Sequence, residues 1–304
     1  MLFRTLVLRA SALPPVKTFV TRSRLFRPLV ARFVAGETLD EAMAVAEALA
    51  ERCFGVSLDL LGENVSSVEE AGRERDAYVQ MLSRIHASRL AEKLNISVKL
   101  TALGLDQGDS VAEANLRQVL AAAGGTFVRV DMESSAYTER TVSMIERVFP
   151  DHSNTGTVLQ SMLLRTPSDL DRMIRLGARV RLVKGAYLEP PSVAHTSKSE
   201  VDRHYVAAAK RLLKEGVYPA IATHDESIVR TLKEFVAREG VNKDSFEWQM
   251  LYGIRRDLQD RLRQEGFNVR VYIPFGGSWY PYFSRRLAER PANLAFIVKS
   301  LFRG

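Results

Sequence analysis

The sequence contains a single cysteine, Cys53, and no Cys-x-x-Cys pair or Cys/His cluster. An internal disulfide and a cysteine-based structural zinc site are therefore excluded, and a reducing compartment suits the chain. No apolar run approaches the roughly 18 residues that a membrane-spanning helix needs. No Gly-x-Gly-x-x-Gly follows an early apolar run, which argues against a dinucleotide-binding doubly wound sheet. Acids are missing from positions 1–36, where seven basic residues lie: Arg4, Arg9, Lys17, Arg22, Arg24, Arg27 and Arg32. The 43 Lys and Arg residues less these seven leave 36 against all 36 acids, so the net charge of +7 is N-terminal and the body is neutral. Such a body has no basic stripe interleaved with stacking aromatics, and nucleic acid is not an expected partner.

The N-terminal segment, residues 1–36, places Met1, Leu2, Phe3, Leu6, Val7 and Leu8 among its arginines. That mixture suits a segment lying on an anionic membrane surface, an organellar transit peptide, or a solvated basic helix packed on the body. Residues 37–304 carry no linker and read as one domain.

What is present in that body is an alternation. After a helix expected from about Glu37 to Arg52, eight runs of strand length recur: Phe54–Leu61, Ile96–Leu100, Thr126–Asp131, Thr157–Gln160, Ala178–Val183, Pro219–Thr223, Phe246–Leu251 and Val269–Ile273. Between them lie segments of helical spacing, such as Val111–Ala123, Glu139–Phe149, Ser199–Glu215 and Ile228–Glu239. Thr166-Pro-Ser-Asp reads as a helix start, and Gly177 and Gly216 read as helix stops. Strict strand–helix alternation implies parallel strands with right-handed crossovers. Eight units in about 250 residues predict an α/β (β/α)8 barrel with extra N-terminal helices, whose chemistry sits at the C-terminal strand ends.

Polar residues occur at or near those ends. Glu63 follows the first run, Lys99 closes the second, Asp131 and Glu133 the third, and Gln160 the fourth. Lys184-Gly-Ala-Tyr187 follows the fifth, Thr223-His-Asp225 ends the sixth, and Gln249 and Tyr272 lie in the last two. Buried charges without partners are prohibitive, so these groups must pair with one another or with a charged ligand. In the last helix Tyr282, Arg285, Arg286 and Glu289 are spaced for one face, with Phe283, Leu287 and Leu294 off it. An aromatic one turn from two guanidinium groups suits a small carboxylate with an apolar body.

The segments Ser97-Val-Lys-Leu-Thr-Ala-Leu103, Val130-Asp-Met-Glu133, Arg179-Val-Arg-Leu-Val-Lys-Gly-Ala-Tyr187, Ala222-Thr-His-Asp225, Phe246-Glu-Trp-Gln-Met-Leu-Tyr-Gly253 and Tyr282-x-x-Arg-Arg-x-x-Glu289 together resemble the proline dehydrogenase family. They occur in the family order and span roughly residues 54–300. The resemblance implies a distorted (β/α)8 barrel, or TIM barrel, of the compact monofunctional bacterial type that holds FAD noncovalently. It further implies oxidation of L-proline to 1-pyrroline-5-carboxylate, the first step toward glutamate, with electrons passed to a membrane quinone. The location implied is cytoplasmic, peripheral to the inner face of the cell membrane, rather than the mitochondrial matrix side.

Carried over by position, the resemblance implies that Arg285, Arg286 and Lys99 bind the proline carboxylate, with Tyr282, Tyr272 and Leu251 walling the ring. It makes Asp131 and Arg181 catalytic, and Glu63 a gate to Arg285. It places Met132, Gln160, Arg181, Lys184, Gly185, Ala186, Thr223, His224 and Gln249 against FAD. Asp225 departs from the asparagine found in some members. Two rival readings stand beside this one: a Schiff-base aldolase of the same fold using Lys184 or Lys99, and a non-enzymatic binding module with a basic tail.

Overall fold

The computed structural model describes residues 26–289 together with positions 13, 15, 18, 20 and 21. Helices α1 (Arg27–Ala31) and α2 (Leu39–Glu51) precede the first strand. Strand–helix units then run β1 (Gly55–Leu60), α3 (Val68–His86), β2 (Leu94–Val98), α4 (Asp109–Ala123), β3 (Val128–Val130), α5 (Ser135–Val148), β4 (Thr155–Gln160) and α6 (Thr166–Leu176). They continue with β5 (Arg179–Val183), α7 (Lys198–Glu215), β6 (Ala220–Ala222), α8 (Glu226–Glu239), β7 (Glu247–Leu251), α9 (Arg256–Gln264), β8 (Asn268–Phe275) and α10 (Trp279–Glu289). Each strand pairs in parallel with the next, and β8 closes on β1, giving the eight-stranded (β/α)8 barrel.

All eight expected strands form, with ends displaced by two residues or fewer. The displacements matter at the mouth: Lys99, Asp131 and Thr223 fall in the loops just beyond β2, β3 and β6. Thr166 is the first residue of α6 and not its cap, because Pro167 fills an early position where no N–H is needed. Gly177 ends α6 in the left-handed region at φ 75°, whereas Gly216 ends α7 extended at φ −85°.

The strands alternate. Val56 and Leu58, Leu94 and Ile96, Val128 and Val130, Val180 and Leu182, Trp248 and Met250, and Val269 and Val271 belong to the apolar core. Alternating with them, Ser57, Asp59, Ser97, Arg129, Arg181, Glu247, Gln249, Arg270 and Tyr272 point the other way, into the barrel. The barrel centre is consequently polar, which departs from the branched apolar layers common to this fold. Gly55 makes this possible in β1, since a Cβ there would stand 2.9 Å from Cζ of Arg270, whose Nη1 donates to the carbonyls of Val56 and Lys93 at 3.0 Å.

Residues 26–36 are part of the body. Phe26, Leu29, Phe33 and Val34 pack with Leu61, Ile254, Trp279, Tyr280, Tyr282 and Phe283 in one apolar cluster. The Ala35 N–H donates to the carbonyl of Pro274 at 2.8 Å, and the Gly276 N–H to that of Gly36 at 3.1 Å. A Cβ on Gly253, at φ +74°, would meet the Arg32 carbonyl oxygen at 1.8 Å, so only glycine lets this segment lie so close. The N-terminal segment thus buttresses α10, the helix of the arginine doublet. Phe33 is 1% exposed, and Phe33→Ala is expected to cost about 3–5 kcal/mol of unfolding free energy in urea, as large aromatic truncations in cores do; a loss under about 1 kcal/mol would mean that this packing is dispensable.

Candidate active site

The innermost functional group is Arg181, in the middle of β5 and 5% exposed. Its Nη1 donates to Asp131 Oδ1 at 2.6 Å, its Nη2 to the Ser97 hydroxyl at 3.2 Å, and its Nε to Oε1 of Gln249. Its guanidinium lies 5.0 Å from the centre of the Tyr272 ring, whose hydroxyl donates to Asp131 Oδ2 at 2.8 Å. Burial, together with the negative charges of Asp131 and Asp59, pushes the Tyr272 phenol well above its usual range, so it stays a donor. Arg181, Gln249 and Tyr272 therefore sit inside the barrel and not at its rim, because the two-residue period of their strands turns them inward before the strand ends.

A second buried pair stands beside the first. Lys99 Nζ lies 2.5 Å from Asp59 Oδ1, with side-chain exposures of 11% and 2%. Burial alone would lower the lysine, but Asp59, Tyr78 and Asp131 outweigh it and hold the ammonium well above the usual range. A protonated, ion-paired Lys99 is a poor Schiff-base nucleophile. Lys184 likewise bridges Asp202 at 2.5 Å and Asp225 at 2.9 Å. Against burial, Lys184 and its neighbour Lys198 keep both aspartates below the usual carboxylate range. Asp225 also caps α8, accepting from the Ser227 N–H at 3.2 Å, so an acid at this position has two structural tasks.

The rim is built from the loops. Glu133 accepts from the Thr101 N–H at 3.2 Å and from its hydroxyl at 2.6 Å, while burial raises its pKa against these bonds. Gln160 donates to the Glu133 carbonyl at 2.9 Å. The Leu251 N–H donates to Nε2 of His224 at 2.9 Å, so that nitrogen carries no proton. Gly185, at φ +116°, packs so tightly that a Cβ would meet Met162 Sδ at 2.3 Å. Met132 and Thr223 are buried, whereas Ala186 is exposed. From α10, Arg285 Nη1 reaches Glu63 Oε1 at 3.6 Å, both side chains being 30% exposed. Arg286 lies 5.2 Å from the centre of the Tyr282 ring. Tyr187 stands among Glu63, Glu133, Arg285 and Lys99; burial, reinforced by the two acids, raises its phenol. The side chains of Leu287 and Glu289, and Leu294 altogether, lie outside the described residues.

The structure thus gathers Asp131, Arg181, Gln249 and Tyr272 in one network and places Lys99 next to it. It sets Leu251 and Tyr282 in and against one apolar cluster, with Glu63 joined to Arg285 above. Sequence reasoning missed Asp59, Tyr78, Thr101, Asp202, Glu247 and Arg270. The available signal was a lone acid in an otherwise apolar strand, as with Asp59 between Leu58 and Leu60.

Fold and site define a (β/α)8 barrel whose buried charges and arginine-bearing last helix gather at and below one mouth. The family model described as proline dehydrogenase matches residues 42–299. The chain is 39% identical over 310 residues to a proline dehydrogenase of Deinococcus radiodurans, covering 100% of this chain and 99% of that protein. It is 38% identical over 274 residues to proline dehydrogenase 1 of Bacillus subtilis, covering 90% of each. Proline utilization A of Bdellovibrio bacteriovorus, inactivated by N-propargylglycine, shares the fold at TM-score 0.82 and 24% identity, over 95% of this chain and 36% of that one. The D779Y variant of Bradyrhizobium japonicum proline utilization A matches at TM-score 0.75 and 26% identity, over 94% of this chain and 33% of that one. The chain belongs to the proline dehydrogenase family and is an oxidoreductase of proline catabolism.

Asp59→Ala would strand the Lys99 ammonium in the interior. The expected cost is about 3–5 kcal/mol in chemical unfolding, largely recovered in the double variant Asp59→Leu/Lys99→Met. A single variant as stable as the parent would show that the pair is not the support of Lys99.

Proposed function

We propose that the protein oxidises L-proline to 1-pyrroline-5-carboxylate with noncovalent FAD and delivers the electrons to a membrane quinone, opening the route from proline to glutamate. The observation that carries this reading is the meeting of the Tyr282–Arg285–Arg286 helix with Glu63 above a barrel that holds Lys99 at its mouth and Arg181 just within. A flavin fits the donor set of that mouth. The cations Arg181 and Lys184, the Thr223 hydroxyl and the Gln160 amide offer donors to ring carbonyls and phosphates, and Met132, Gly185 and Ala186 give apolar contact. His224, and Gln249 at greater depth, complete the set of residues that would hold it. FAD supplies the two-electron acceptor for a hydride equivalent, which side chains cannot provide.

The chain's own residues do the rest. Arg285 and Arg286 grip the proline carboxylate in a charge-assisted, geometrically fixed contact, with Lys99 as a third cation. Tyr272, Tyr282 and Leu251 enclose the ring so that its Cδ–H points at the acceptor. With the ring nitrogen entering as the free base, its first proton already released to water, the Cδ–H bond gives up a hydride equivalent as the C=N bond forms, and the remaining N–H proton passes to solvent to leave the neutral imine. Arg181, fixed by Asp131, would stabilise the negative charge that the acceptor gains as electrons leave proline. Exchange of the Glu63–Arg285 contact for substrate lets α10 close and exclude water.

An absorption spectrum tests the whole reading: the purified protein is expected to show flavin bands that bleach on anaerobic addition of L-proline. Arg285→Met or Arg286→Met should keep FAD and raise the proline KM at least tenfold to a hundredfold, the value of a charged hydrogen bond of about 1.5–3 kcal/mol. An unchanged KM in both would remove the carboxylate assignment. Borohydride trapping of a covalent adduct, with no flavin, would favour the aldolase instead.

The basic N-terminus enters the same proposal as a peripheral anchor on the inner face of the membrane, since a lipid-soluble quinone must be met at the bilayer. Each basic residue near an anionic surface adds about 1 kcal/mol of attraction. Most of residues 1–25 lies outside the described residues. Deleting residues 1–25 spares the packed segment at 26–36, and is expected to abolish salt-sensitive sedimentation with anionic vesicles while leaving proline oxidation with a soluble acceptor intact. Undiminished vesicle binding would contradict the anchor.

A further inference from the structure

We propose that Glu247 is a positioning residue for Arg181, acting through Gln249 from the closed lower half of the barrel; this rests on the role of Arg181 in the proposed flavin reaction. Glu247 is four residues below the Leu251 end of β7, or about 13 Å at 3.3 Å per residue, and does not belong to the mouth.

The two ends of one amide join Glu247 to Arg181. Gln249 is 3% exposed, and its Oε1 accepts from Arg181 Nε while its Nε2 donates to Glu247 Oε1. An amide end facing Arg181 must be the oxygen, because guanidinium carries donors only. Arg181 favours that end, and the Glu247 carboxylate, a pure acceptor on the other side, favours it too and anchors the far end of the amide. Glu247 is 4% exposed, and its two oxygens accept from Arg270 Nε at 2.9 and 3.0 Å. Arg270 is in turn tied to the carbonyls of Val56 and Lys93 in the space that Gly55 leaves open. Despite its burial, Glu247 is held below the usual carboxylate range, chiefly by Arg270, and so remains an acceptor.

The polarity therefore runs in one sense, with Arg270 and Gln249 both donating to Glu247, and Arg181 donating to Gln249. Replacing the acid by an amide at 247 removes that anchor, because either end of the new amide can face Gln249. Gln249 is then held at the Arg181 end alone, and its Oε1 loses the fixed place against Arg181 that two anchored ends give it. Arg129 cannot take over the hold: its Nη1 donates to the carbonyls of Thr157 and Arg179 at 3.1 and 2.7 Å, and it carries the same charge as Arg181.

The test uses the FAD-loaded full chain and two variants, Glu247→Gln and Glu247→Gln/Arg270→Met. The second lacks the guanidinium that the first leaves without a carboxylate, and it carries the test if the first does not fold. Under anaerobic proline in single turnover, both are expected to reduce flavin about tenfold more slowly than the parent, with half-saturating proline within about twofold. The bound flavin should also favour its reduced form about tenfold less, a fall of about 30 mV in midpoint potential for a two-electron couple. A lower Tm with parental reduction rate and potential would overturn the proposal, as would recovery of both in the double variant. A parent protein without flavin, or with flavin that proline does not bleach, would instead overturn the proposed reaction.

Discussion

The Arg181 guanidinium, held on three sides by Asp131, Ser97 and Gln249 and covered by Tyr272, is the interaction on which the site is organised. A cation at 5% exposure cannot be left to water, so every atom around it is obliged to be an acceptor or an aromatic face. That obligation spreads. Gln249 needs Glu247, Glu247 needs Arg270, Arg270 needs the missing side chain of Gly55, and Asp131 fixes the hydroxyl of Tyr272. The apolar face of each strand is thereby left to bind the helices, and the interior charges are paired except for Arg129, which donates only to the Thr157 and Arg179 carbonyls.

The rim follows different physics. Glu63 and Arg285, at 3.6 Å and partly exposed, form a contact worth under about 1 kcal/mol, screened by solvent. Such a contact is easily exchanged for another anion. The helix that carries Arg285 is positioned mainly by apolar packing, with Phe283 fully buried and Trp279 donating to Glu37 at 2.9 Å. A rigid interior and an exchangeable rim are what a closing active site requires.

The barrel was legible because eight runs alternate with helical segments at a spacing that only parallel crossover units fill. The polar side of the mouth was legible where a charged residue falls just past a strand, as with Lys99, Asp131 and Lys184. The supports were not. Asp59 and Lys99 are 40 residues apart, and Arg181 and Gln249 are 68 apart, so no local pattern announces either contact. Reading β1, β7 and β8 as apolar runs also hid their alternation, which is the feature that sends Asp59, Glu247 and Arg270 inward. Asp225 was visible as a departure from the family, yet its pairing with Lys184 depends on two loops that meet only in the closed barrel.

The central claim is that the interior holds Arg181 in place before any substrate arrives. Hydrogen exchange of the Arg181 Nε–H, followed by NMR of the substrate-free protein with Arg181→Lys to assign the signal, measures this directly. The account predicts one resolved, slowly exchanging Nε–H, since its proton is shared with Gln249 in a buried site. A signal that exchanges as fast as those of exposed arginines would contradict it.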